Sequence, residues 1–309
     1  MQQNQSILEG VSASINGEQS ESIGFLTWYS VGDDLYYRED LRKLLVSNGI
    51  EEKYLPNPIR SSDAFRRATK AIETKRSRES DNADTYKNYI VRDVVSKGEK
   101  LQRNIVIETV NQKGERLDYN TEGAKMYFDK QNDQFTFISN DEMANDLAEE
   151  AQKHYDLFSK AHNGAVVRSS VVSYLYSLSP TPVRLSGGVY FVPFKYAENL
   201  KNLCNYVSSL DKGSAQMVAL TNDENNRNII KENVKENLDK VLQQCRSAIN
   251  DEEGKLQKGQ VFTIIEDARR IVGQFKDYRE LLNDTVIDLE SSVDLIRQSI
   301  NLVLSKVAD

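Results

Sequence analysis

The side chains with which this chain could do chemistry are few. They are two histidines, His154 and His162, two cysteines, Cys204 and Cys245, and an aspartate pair, Asp33-Asp34. Imidazole and thiolate are zinc ligands, but zinc sites bring them together at close spacings, and these four are scattered. His154 falls beside Tyr155 and Phe158 in a helical pattern and is expected to be buried or half-buried. His162 is expected at the C-terminal end of that helix, where the helix dipole favours a cation. The cysteines sit in helical apolar patterns and are expected as small buried hydrophobes. Asp33-Asp34 follows a strand and is the best-placed carboxylate pair for a divalent ion, although aspartates at such positions more commonly make turns. A metal site of carboxylates alone stays open. Neither GxxxxGKS/T nor GxGxxG occurs, so nucleotide hydrolysis has no anchor. No catalytic, cofactor-binding or metal residue is assigned, no cofactor is called for, and a non-enzymatic protein is expected.

Charge is the other source of chemistry. Seven cations, Arg60, Arg66, Arg67, Lys70, Lys75, Arg76 and Arg78, face only Asp63 and Glu73 in the same stretch. Helical spacing places Arg66, Arg67 and Lys70 off the Ala64–Phe65–Ala68–Ile72 face, toward solvent. They can grip phosphates, pair with an acidic surface, or simply be solvated. Further along, Arg184 and Tyr190 flank a pair of glycines, Gly187-Gly188, in a short hairpin pattern. With the cationic run they make up the candidate binding patch. Tyr174, Tyr176, Tyr190 and Phe191 suit a protein interface if exposed and a core otherwise.

The elements that must position these residues follow from pattern. Residues 1–22 are polar and read as an arm. Residues 23–139 read as an α+β domain: a buried strand over Phe25–Val31, a helix bearing Leu41, Leu44 and Leu45 that stops at Asn48-Gly49, and a helix over about Asp63–Thr74 capped by Ser61 or Ser62. A surface loop is expected over residues 76–88, then a β-meander with strands at 89–95, 102–110, 117–119, 125–128 and 134–138. Both faces of the 102–110 strand are expected to be partly covered. Residues 140–220 read as a winged-helix-like unit: helix from Asp141 to about Ala161, stop at Asn163-Gly164, helix over Ala165–Leu178, hairpin, helix over Lys195–Leu210, and a strand at Ala215–Leu220. The exposed positions of its second helix, VVRSSVVSYLYSLS, carry Arg168 and serines but no lysine, which suits protein contact better than DNA.

Residues 221–309 carry two apolar seams. Ile230, Val234, Leu238, Val241, Cys245 and Ile249 form the first, and a run from Ile264 to Val307 forms the second. At about 1.5 Å per residue the two helices would be roughly 45 and 75 Å long, so a simple hairpin leaves seam uncovered. The uncovered part, Leu289, Val293, Ile296, Ile300 and Val303, is the candidate oligomer seam. The alternative is a break at Asn283-Asp284 that folds the last helix back into a three-helix bundle.

Bulk properties bound the rest. A net charge of −7 argues against coating nucleic acid with the whole surface. No apolar run approaches the length of a bilayer span, and Met1-Gln2-Gln3-Asn4-Gln5 lacks the regions of a signal peptide. A cytoplasmic location with no membrane partner is expected.

Three strings resemble an uncharacterised family of bacteriophages and integrated mobile elements: FLTWYSV (residues 25–31), SDAFRRAT (62–69) and VRLSGGVYFVP (183–193). The resemblance spans roughly residues 23–210 and carries over no activity and no catalytic residue. It implies a phage or prophage product in the cytoplasm of a bacterial host. The combined expectation is an oligomeric, non-enzymatic binding protein whose partners are its own copies and a host protein, for example an antiviral defence component. The alternative is a nucleic-acid-binding protein of phage replication or regulation.

Overall fold

In the computed structural model the described residues are 22–78, 84–183, 188–251, 256–282 and 287–308. The fold is α+β, with antiparallel sheets and C-terminal helices. Residues 35–41 and 56–166 form one unit and the remaining described residues another, so the units interleave along the chain.

The first unit is built on the meander. Strands β3 (Thr74–Arg78), β4 (Thr85–Val95), β5 (Lys100–Asn111), β6 (Arg116–Asp129) and β7 (Gln134–Ser139) pair in chain order into one antiparallel sheet. Helices α2 (Ser61–Ala71) and α3 (Glu142–Phe158) contribute Phe65, Ala68, Leu147 and Ala151 to the core that covers it, against Ile105, Met126 and Phe128. Ile105, Val106, Ile107 and Glu108 are all buried, so the central strand is covered on both faces. Strand β3 occupies part of the expected surface loop. Its Thr-Lys-Arg-Ser-Arg sequence has no apolar alternation, and it is held as an edge by backbone pairing to β4. The two expected strands at 117–119 and 125–128 are one long strand, β6. Strands β2 (Leu35–Tyr37) and β8 (Ala161–Asn163), neither of them expected, form a separate antiparallel pair.

Several helix starts follow local chemistry. Asp141 caps α3 by accepting the Ala144 N–H at 2.8 Å. At α2 the cap position is Arg60, with no side-chain cap bond, and the serines expected there are the first helical residues. Asn163 accepts the Val166 N–H at the start of α4 (Gly164–Tyr176), so it opens that helix rather than closing α3.

The second unit carries a four-stranded antiparallel sheet of order β11-β1-β10-β9, from β1 (Ser22–Ser30), β9 (Thr181–Pro182), β10 (Tyr190–Pro193) and β11 (Ser214–Thr221). The hairpin around the glycines is therefore built into a sheet, with β10 paired to β1 on its other side. Gly24 makes that pairing possible, since a Cβ there would lie 2.4 Å from the Val192 carbonyl oxygen. Helix α1 (Arg38–Ser47) ends where expected: Gly49 takes φ +71 and Ile50 N–H reaches back to the Leu45 carbonyl. Helix α5 (Ala197–Ser208) packs on β11 and β1.

The sheet's other face meets three helices, α6 (Glu224–Ile249), α7 (Lys258–Leu282) and α8 (Ile287–Ala308). Leu289, Val293, Ile296, Ile300 and Val303 of α8 are all buried in one core with Val234 and Leu238 of α6 and Ile271 and Phe275 of α7. The seam beyond Leu282 thus packs on its own chain. Asn283 and Asp284, where the break was expected, lie outside the described residues. Ile296→Val should cost about 1 kcal/mol of stability in urea unfolding and leave the mass in solution unchanged, as for any buried methyl lost from the chain's own core. Among the described residues no helix is long and apolar enough to cross a membrane.

Candidate functional site

The cationic helix α2 turns Arg66, Arg67 and Lys70 outward, as its spacing requires, but each is engaged. Arg66 bonds Asp63 Oδ1 and the Ser96 carbonyl, both at 3.1 Å. Lys70 pairs with Glu73. Burial alone would raise the Glu73 carboxyl; the Lys70 bond and the Val91 N–H outweigh it and hold the group below its usual value. Arg67 lies 4.8 Å over the Phe158 ring, whose plane also stacks with His154 at 5.4 Å. Beneath them Arg103, largely buried, bonds Asp93, the Arg66 carbonyl and Thr69 Oγ1. The result is a broad shallow depression in which Arg66, Lys70 and Arg103 are paired with carboxylates and Arg67 lies over a ring. Arg60 is exposed at the head of the helix. The side chains of Lys75, Arg76 and Arg78, and all of Arg184, lie outside the described residues.

His162 sits in β8, paired with Tyr36 of β2, and so caps no helix. Burial pushes its imidazole pKa below the usual value, helped by Arg38 and Arg67. His154 is the half-buried residue expected. Cys204 and Cys245 are buried free thiols, raised by burial and so poor nucleophiles. Asp33 and Asp34 bond Arg168 and Lys212 at 2.9 and 2.7 Å. Among the described residues no group of three or more His, Cys, Asp or Glu is placed to hold a metal ion.

The better-formed site is a cleft of about 290 Å³ in the second unit, between the β9–β10 hairpin and helices α6 and α7. Helix α6 supplies Asn233, Asn237, Lys240 and Gln244, whose steps of four, three and four residues make one stripe beside its buried seam. From α7 come Asp267 and Arg270, bonded to each other at 2.8 Å, with the Arg270 guanidinium 4.1 Å over the Tyr176 ring. Tyr190 of β10 and Tyr176 complete the aromatic side, and Pro180 and Pro182 the rim. Among the described residues, Tyr190 is the one member of the expected patch found here. Burial, then the neighbouring Tyr176, raises its phenol, while Arg270 opposes the rise. Nearby Tyr29 is pushed up to about 12 by burial first, then by Tyr190 and Tyr176. Both phenols therefore stay protonated at neutral pH and can donate as well as accept.

What holds the rim is Asp277 of α7. Its buried carboxylate accepts from Lys195, from Ser179 and, at 2.9 Å, from the Tyr196 hydroxyl. The next residue, Tyr278, donates to the Ser179 carbonyl at 2.6 Å, and Ser179 adopts φ +51. Gln274 adds a 2.7 Å bond to the Tyr176 carbonyl. The turn that leads from α4 into Pro180 and Pro182 is thus fixed by one face of α7.

One family model matches residues 22–309. The chain belongs to DUF6744, a family of unknown function. No curated protein and no solved structure matches. The DUF6744 match begins at the first residue of β1 and takes in both units, including the three C-terminal helices that the resemblance had left as generic. Within it, reasoning from sequence passed over Asp277 and the α6 amides. Asp277 falls in a helical run where any carboxylate looks solvated. The signal for the amides was there: Asn233, Asn237 and Gln244 flank the seam where lysine and glutamate are the ordinary solvated choice.

Proposed function

We propose that this DUF6744 protein is a non-enzymatic binding protein that recognises an extended polypeptide segment in the α6–α7–hairpin cleft. The observation that supports the reading is the lining. Side-chain amides on one helical stripe and the Tyr190 hydroxyl opposite them can both donate and accept, which is what peptide groups require. The charges present, Glu236 and Asp267 against Lys240 and Arg270, balance, so the cleft favours neither a polyanion nor a polycation. Aromatic and arginine side chains are also the usual anchors of protein interfaces.

An origin in a bacteriophage or mobile element, action in the bacterial cytoplasm and a host protein as the partner extend this proposal. They rest on the SDAFRRAT and SGGVYFVP strings. The test is selection from a peptide library followed by fluorescence anisotropy. Tyr190→Ala and Asn237→Ala should each weaken a selected peptide by about tenfold or more, as loss of an interface anchor does. Equal binding by both variants would remove the cleft from consideration. Salt-sensitive retention on heparin, lost on changing Arg66 and Arg67 to Glu, would favour the nucleic-acid reading instead.

A further inference from the structure

Strand β11 is an edge of the four-stranded sheet, and its run from Ser214 to Leu220 carries no lysine, proline or bulge to keep it from pairing. From Ser214 to Thr221 it carries no charged residue and no proline. Its register with β1 is unbroken from Ser214 to Leu220. Natural edges are commonly blunted by lysine, proline, bulges or short length. The opposite edge of the same sheet, β9, is two residues long and contains Pro182. In the five-stranded sheet, edge β3 carries cations, and the Phe135 carbonyl of edge β7 accepts the Gln152 amide.

The direction of the open backbone groups follows from one bond. Thr27 of β1 donates its hydroxyl to the Gln216 carbonyl at 2.8 Å, so that carbonyl points toward β1. Antiparallel alternation then turns the N–H and C=O groups of Ala215, Met217 and Ala219 outward. The Thr221 carbonyl, next in that alternation, accepts the Asn226 amide and closes the end of the row.

We propose that β11 pairs antiparallel with β11 of a second copy, joining two four-stranded sheets into one across a two-fold axis. Three observations select a second copy as the occupant. An uncharged strand opposes itself in antiparallel register without placing like charges together, which a chain of net charge −7 needs at a self-contact. The short, proline-bearing β9 edge cannot receive β11, so edge pairing in this sheet closes as an isologous dimer instead of running on as a filament. Beside the strand, Trp28 on β1 lies opposite Gln216 and is 41% exposed, an apolar side chain that a continuing sheet would partly cover.

Trp28 is the only tryptophan in the chain and reports on the contact directly. Sedimentation equilibrium of the full chain should give a dimer, and its concentration dependence should match a blue shift of Trp28 emission. Met217→Pro removes an outward N–H and leaves the β1 side of the strand intact; it should give a monomer without the shift. Gln216→Lys, at an exposed position, should weaken the dimer by about tenfold through like-charge opposition, and mixing it with Gln216→Glu should restore association. If Met217→Pro fails to fold by circular dichroism, the two Gln216 variants decide alone. A wild-type monomer well above micromolar concentration, or a dimer indifferent to the Gln216 charges, overturns the proposal.

Discussion

Asp277→Ala is expected to lower unfolding stability by about 3 kcal/mol, because it leaves buried partners without their acceptor. The carboxylate is almost wholly buried, 2% exposed, and its three donors come from Ser179, Lys195 and Tyr196. Lys195 is 43% exposed and can return to water, so the cost falls chiefly on the two hydroxyls. The Tyr278 bond to the Ser179 carbonyl remains, which keeps the loss below that of a complete unlocking. Asp277→Asn preserves the shape and one acceptor and should cost about half as much. Urea unfolding measures both, with the midpoint moving at unchanged slope. Because the same contacts set the turn into Pro180 and Pro182, peptide binding in the cleft should fall with Asp277→Ala even where the protein is fully folded.

The sign of the pH dependence follows. Burial acts to raise the Asp277 carboxyl, but the bonds from Lys195, Ser179 and Tyr196 prevail and leave its folded pKa below the ordinary carboxylate value. A depressed folded pKa means stability that is fully present above the unfolded pKa, near 4, and lost as pH falls through the folded value. The gap between wild type and Asp277→Ala should therefore be widest at neutral pH and close below about pH 4. A gap that stays constant into strong acid would mean that the carboxyl is not held ionised by these partners.

The helical stripes and the meander were legible because their apolar periods are long and regular. Strand β3 was not, because an edge of alternating Lys, Arg and Ser is held by backbone bonds that leave no side-chain signature. Nor were β2 and β8, since three-residue strands are shorter than any period they could display. The α8 seam shows a different limit. Leu289, Val293 and Ile296 demand a helical partner, and heptad spacing is the same whether that partner is another chain or the chain's own α6 and α7. What decides is that α7 ends at Leu282 and α8 begins at Ile287, and the sequence between them carries no periodic signal. At the site, Tyr190 stood out as an aromatic beside glycines, while Asn233, Asn237 and Asp277 looked like the solvated flanks of helices. Polar residues on a helix reveal their neighbours only once the tertiary packing is known.

Phe65→Ala is expected to cost about 4 kcal/mol, the loss typical of a fully buried ring whose site cannot collapse. Phe65 is 0% exposed, stacked on Phe128 at 5.3 Å and edge-on to Phe135 at 5.1 Å. Its neighbours in SDAFRRAT explain why the site is rigid. Ala64 and Ala68, also wholly buried, let α2 approach the sheet closely, and Thr69 donates to the Phe65 carbonyl at 2.7 Å. Arg103 reaches from β5 to the Arg66 carbonyl at 2.8 Å and to Thr69 at 2.7 Å, tying the helix down from the sheet side. Ring, small residues, hydroxyl and carbonyl form one clamp, and Asp63, Arg66, Arg67 and Lys70 lie outside it. Phe65→Leu should cost less than about 1.5 kcal/mol, because most of the volume is kept. If Phe65→Ala instead cost under about 1 kcal/mol by urea unfolding, packing could not account for so particular a string. The weight would then pass to Arg66 and Arg67 and to whatever they bind.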